Sequence, residues 1–216
     1  TFSRPPLGEI SIMDAGSYSH PYSSPPTDYP LSPEDLGGFY PAGADKLVVA
    51  FSREGGTLVG VSYNGEAMTE IAQIGSSIRR LAMFYLDNPA ANGTLLVDHS
   101  SRPNGLGLTA IALLNTLPDF VSPPSAATAR STNITTTGDN SLVFAAAVEN
   151  NSPYPVAQAP LTPLYSIDAG SAGHGSGYQV VPSPATITPT FNTADAVIAA
   201  EFLAVQPPAG SVLVIQ

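Results

Sequence analysis

Short apolar runs recur along this chain at intervals of about ten residues, separated by turns rich in Gly and Pro, the spacing of a β-sandwich or barrel. The sharpest local signal is Asn64-Gly65, with Leu58–Tyr63 before it and Ala67–Ala72 after it. Val59, Val61 and Tyr63 fall on one face with smaller residues between them, a period of two. A tight hairpin needs positive φ at both central positions, which Asn-Gly tolerates best. The pattern therefore predicts a hairpin here. Lys46–Phe51 reads as a buried strand, and Arg80–Leu86 as another that Asp87-Asn88-Pro89 stops at strand length. Gly93–Val97, Leu106–Leu114, Ser141–Val148, Gly177–Val181 and Ala185–Phe191 continue the series. Ala196–Val205 contains Ala and Glu201, which favour a helix, but the β character of the rest predicts a strand.

These elements predict an all-β fold: an antiparallel two-sheet β-sandwich, jelly-roll-like, with an extended N-terminal strap and a C-terminal tail. Neither an internal repeat nor a shift in composition divides the chain. One domain is expected over residues 8–205, with an arm at 1–7 and a tail at 206–216. Pro118–Pro124 and Pro153–Pro163 are expected to be connections, because proline cannot sit in a central strand.

Two segments are too apolar for free loops. Ser17 to Pro41 carries Tyr18, Tyr22, Tyr29, Phe39 and Tyr40 among six prolines. Proline lowers the entropy lost on ordering, so such a strap can lie along its own sheet or along a neighbour. The segment Ser211-Val212-Leu213-Val214-Ile215-Gln216 is β-prone and apolar, and it would promote aggregation if left uncovered. It is expected to dock, either on its own sheet or as an added strand on another subunit. Tyr18, Tyr22, Tyr29, Phe39, Tyr40, Val212, Leu213, Val214 and Ile215 are thus the candidate contact residues.

Charge sharpens this expectation. Only 11% of the chain is charged although 43% is hydrophobic, against roughly 25% charged residues in ordinary soluble domains. Charged side chains are depleted where subunits meet, so a surface this poor in them suits a component of an assembly. Seventeen acids against seven basic residues leave a net charge of −10, which disfavours a phosphate backbone as partner. The pair Arg79-Arg80 is better read as a solvated or interface pair. No run approaches the length of a membrane span. The N-terminal residues lack the basic-then-apolar pattern of a leader. Cysteine is absent, so neither disulfides nor thiolate chemistry is available.

Catalytic or metal-binding patterns do not emerge, and no cofactor or metal is expected. His20, His99 and His174 are scattered without metal-ligand spacing. Asp98-His99-Ser100-Ser101 invites a hydrolase reading, but such triads assemble across a fold and not along the chain. Gly173-His174-Gly175-Ser176-Gly177 lacks the first glycine of a nucleophile elbow and reads as a flexible turn before Tyr178. Acidic positions at Asp87, Asp98 and Asp139 match no calcium loop. Tyrosines of the strap could stack on sugar rings, though a role at a subunit contact is favoured.

The middle of the chain adds a resemblance. Val59-Gly60-Val61-Ser62-Tyr63-Asn64-Gly65-Glu66-Ala67-Met68-Thr69, followed by Leu81-Ala82-Met83-Phe84-Tyr85-Leu86-Asp87-Asn88-Pro89-Ala90-Ala91-Asn92-Gly93-Thr94, resembles a β-sandwich module of bacteriophage virion proteins and bacterial extracellular proteins. Gly175-Ser176-Gly177-Tyr178 and the alanine-rich last strand are similar to the end of that module. The resemblance implies a non-enzymatic virion structural protein, foremost a capsid decoration or cement protein on the shell exterior. Its implied partners are copies of itself, as a trimer for example, and a major capsid or other virion protein. A tail or fibre component, or an extracellular carbohydrate-binding module with a glycan as partner, is the alternative.

Overall fold

A computed structural model describes residues 8–20, 27–75, 78–118, 122–150 and 153–206. The expectations placed on the arm at 1–7, on Tyr22, and on Val212, Leu213, Val214 and Ile215 lie outside these residues. In chain order the strands are β1 (Ser11–His20), β2 (Asp28–Leu31), β3 (Lys46–Tyr63), β4 (Glu66–Ala67), β5 (Thr69–Gly75), β6 (Arg79–Asp87) and β7 (Leu95–Leu114). The second half holds β8 (Ser125–Ala127), β9 (Ile134–Thr135), β10 (Ser141–Glu149), β11 (Thr162–Ile167), β12 (Gly173–Val181), β13 (Thr186–Ile187) and β14 (Ala196–Phe202).

The protein is an all-β antiparallel sandwich, with no helix among the described residues. The first sheet runs β1-β7-β3-β6-β5, with β2 beside β7 and β4 beside β3; the second runs β11-β12-β10-β14-β8. The sheets face one another across a shared core, and the chain completes the first before entering the second. Strand β9 pairs with β13 as a small cover over the second sheet.

Alternation along the central strands sorts their side chains into three layers. Val48 and Ala50 of β3 meet Leu142, Phe144, Ile198 and Phe202 of β10 and β14 between the sheets. Leu47, Val49 and Phe51, on the opposite face of β3, pack beneath the strap with Tyr29, Leu31, Leu36 and Phe39. Val143, Ala145, Ala147, Val197 and Ala199 pack outward against Phe191, Ile134 and Leu161. Strands covered on both faces read as continuous apolar runs, which explains the Ala-rich stretch in β10. Ala196–Phe202 is a strand, as its context predicted.

The Asn64-Gly65 turn forms as expected, with φ of 51° and 81°. Other segments depart from expectation. The runs 46–51 and 58–63 are one strand, β3, and 95–97 and 106–114 are one strand, β7. Register shifts between Glu54 and Gly55, and again around Leu58, let the β3–β7 ladder continue through the glycines. Gly173–Gly177 is not a turn: it forms the first half of β12, paired to β10 and β11. Within the strap, residues 17–20 belong to β1 and residues 28–31 form β2. Thr162 and Pro163, assigned to a connection, open β11. Between Ala185 and Phe191 only Thr186–Ile187 is a strand.

Candidate functional site

Three internal polar groupings stand out, and the largest lies beneath the strap. Arg53 has the same parity in β3 as Leu47, Val49 and Phe51, so it shares their face of the first sheet. Arg80 has the parity of Ala82, Phe84 and Leu86 in β6, and it is the direct register partner of Arg53. His99 follows Val97 on the same face of β7, while Tyr18 and Tyr29 pack there from β1 and β2. The register therefore gathers residues that are far apart in sequence.

Their rings form a chain. Tyr18 and His20 stack with centroids 6.5 Å apart and planes 8° apart. Tyr29 meets the edges of His20 at 5.6 Å and His99 at 6.0 Å. Tyr18 Oη lies 3.4 Å from His20 Nδ1. Yet His20 Nε2, Tyr29 Oη, Arg53 Nε and both ring nitrogens of His99 are buried without a hydrogen-bond partner. Buried polar atoms rarely stay unpaired, so five in one cluster require a physical reason. Arg53 is 3% exposed; its Nη1 donates to Gly55 O at 2.7 Å and also to Gly56 O. Among the described residues no carboxylate reaches ion-pair distance of Arg53 or Arg80.

Burial dominates the electrostatics. It pushes His99 down to about 4, aided by the positive charge of Arg53 and opposed by the backbone carbonyls of Thr27 and Val97 and then by Asp28. Burial and then Arg80 lower Arg53 to about 10, so it remains charged at neutral pH. Burial and the neighbouring Tyr18 push Tyr29 up to about 12. At the rim, Asp28 and Asp98 are cross-strand partners. Partial burial and then Asp28 hold the Asp98 carboxyl above its ordinary range.

The second grouping is sealed between the sheets. Thr109 Oγ1 lies 3.1 Å from His174 Nε2 and 2.9 Å from Ser176 Oγ, and all three residues are fully buried. Burial drives His174 down to about 3, so the imidazole is neutral. Among the described residues no carboxylate hydrogen-bonds to His174. The third is a latch: Glu201, with no exposed surface, accepts from Ser122 Oγ at 2.6 Å, Thr137 N at 2.8 Å and Gly138 N at 3.1 Å. Burial alone would raise its carboxyl, but these donors outweigh burial and hold it low.

The sequence-predicted contact residues divide. Tyr29 and Phe39 are each 2% exposed and belong to the core beneath the strap, so they are corrected from contact residues to packing residues. Tyr18 is half-buried against the same core. Tyr40 is 43% exposed; its OH donates to Glu34 Oε1 at 3.1 Å and its N–H to Asp14 Oδ2 at 2.8 Å. It lines an open cleft of about 430 Å³ with Met13, Asp14 and Ala42. His99 is separated by burial from the exposed Ser100 and Ser101 beside it in sequence. The described residues contain no group of three or more potential metal-ligating side chains.

No protein-family model, no curated protein and no solved structure matches this chain. The antiparallel sandwich is thus defined by its own geometry.

Proposed function

We propose that this protein is a non-enzymatic structural subunit of an assembly, of the decoration or cement type on a phage-like shell. One observation carries the reading. The segments 123–137 and 182–194, which hold β9 and β13 and cover the second sheet, contain a single charged residue, Arg130. Uncharged Thr, Ser, Asn, Ala and Pro make up most of their exposed positions. A broad face with one charge loses little solvation when a neighbour covers it, whereas a charged face would lose much. Many such contacts of modest strength add up when copies are held in an array. The resemblance of the segment Val59–Thr94 to virion modules points the same way. The contact surface now lies on this cover and on open sheet edges, since Tyr29 and Phe39 are occupied within the chain.

The direct test is to image a particle carrying the protein. Density for the sandwich on the shell exterior, with the 123–137 and 182–194 face against a neighbour, supports the proposal. A particle lacking the chain contradicts it.

A second reading has its own observation. Tyr40 presents an exposed ring beside Asp14 in a cleft, an aromatic and acidic pairing that suits a sugar and the carbohydrate-binding alternative. A glycan array with saturable binding lost in Tyr40→Ala would favour this reading over the structural one.

A further inference from the structure

The cluster under the strap has one chemical character. The Nε–H of Arg53, a ring nitrogen of each histidine and the hydroxyl of Tyr29 can all donate hydrogen bonds, and among the described residues none of these atoms has a partner in hydrogen-bond geometry, though the carbonyls of Thr27 and Val97 lie against the His99 ring. Arg53 sits directly across from Arg80, an arrangement of like charges that weakens a sheet unless something neutralises it. Two of the chain's six arginines occupy adjacent register positions, and among the described residues no carboxylate is in ion-pair reach of them, in a protein with 17 acids to choose from. A buried, unpaired guanidinium is among the costlier features a fold can carry. We propose that this cluster is a binding site for a small tetrahedral oxyanion, of the phosphate or sulfate class. Arg53 supplies the buried charge, and exposed Arg80 across the strand pair attracts the anion. Tyr29, His20 and His99 donate to its oxygens. A guanidinium fork with donors from three further strands suits a tetrahedral anion better than a planar one.

The groups facing His99 set the pH dependence. They are Arg53 from β3, Tyr29 and Asp28 from β2, His20 and Tyr18 from β1, and Asp98 from its own strand; Arg80 stands behind Arg53. An anion beside His99 favours the imidazolium, so binding takes up a proton and tightens as pH falls.

The experiment titrates inorganic phosphate, sulfate and acetate, each against chloride at matched ionic strength. It follows the thermal midpoint and the ring-nitrogen NMR signals of His20 and His99. The expected result is a saturable rise in midpoint with phosphate and sulfate, and a shift of the His99 signals that saturates at the same concentration. Sulfate, which stays dianionic, should bind more tightly at pH 6 than at pH 8. Arg53→Met should abolish the saturable component. Should that variant fail to fold, Arg80→Ser on the neighbouring strand should weaken sulfate binding by about tenfold through the loss of one attracting charge. A non-saturating rise that is equal in Arg80→Ser, with unmoved ring signals, would overturn the site and mark general salt exclusion. Saturation by acetate alone would overturn its tetrahedral character.

Discussion

Glu201 shows what a single buried carboxylate contributes to this fold. Its carboxyl gathers donors from the segment 122–138 onto β14, so that segment is tied to the sheet by charge-assisted hydrogen bonds. Glu201→Gln keeps the shape but turns a donor group toward backbone N–H groups, at a cost of about 2 kcal/mol in urea unfolding. The carboxyl is held below its ordinary range, so its contribution is complete above the unfolded value and disappears as pH falls through the folded one. The acid arm of the stability curve should accordingly be flatter in Glu201→Gln. His174 acts with the same sign by another route. Its folded value is about 3 against an unfolded value of about 6.5. Between those limits the unfolded chain binds the extra proton, so stability falls on acidification from neutral pH. His174→Asn should reduce the drop in urea midpoint between about pH 7 and pH 5; an unchanged drop would show that the histidine is not neutral when folded.

Among the elements, β12 and the 64–65 hairpin use glycine for different reasons. Gly65 has a φ of 81° with open space around it, so an added methyl meets only backbone strain of about 1 kcal/mol. A methyl on Gly175 would sit 2.3 Å from the carbonyl oxygen of Pro155 and 2.6 Å from its Cβ. Gly175→Ala should therefore cost about 3 kcal/mol, clearly more than Gly65→Ala in parallel thermal unfolding. The same contrast explains what could be read in advance. The hairpin and the two-faced strands β6, β10 and β14 announce themselves through local turn chemistry and apolar alternation. The first half of β12, residues 173–176, was hidden because glycines needed for close approach look the same in sequence as glycines needed for a turn, whereas 177–181 was legible. Strand β1 was hidden because Ser11–His20 is half polar and its partner, Leu106–Leu114, lies far along the chain. The two predicted runs 46–51 and 58–63 are joined through Arg53-Glu54-Gly55-Gly56, where bulges carry the β3 ladder across the glycines. The donor cluster was legible only as isolated histidines; the register that joins His99, Arg53 and Arg80 arises from pairings no local pattern encodes.

At the scale of the whole molecule, charge is distributed unevenly. Lys46, the single lysine, is buried against Asp87 and lies 4.4 Å from the centroid of the Tyr85 ring. Arg53 is buried as well and Arg79 is half-buried, which leaves Arg80, Arg102 and Arg130 as the exposed cations among the described residues. Exposed carboxylates such as Glu34, Glu66, Glu70, Asp168 and Asp195 lie outside the cover formed by β9 and β13. The cover itself is thus nearly neutral, with Asp139 and Asp195 at its borders, and a face of that kind is where a neighbour loses least by binding. The strap uses Tyr29 and Phe39 to close its own core, so the proposed function assigns recognition to the cover, the sheet edges and Tyr40.

Sedimentation velocity over a range from micromolar to near-millimolar concentration, on the intact chain and on a variant with Thr135→Glu and Thr186→Glu, tests this most directly. The account predicts concentration-dependent association of the intact chain that the two added charges on the cover suppress. A monomer throughout the range, or association indifferent to those charges, would contradict it.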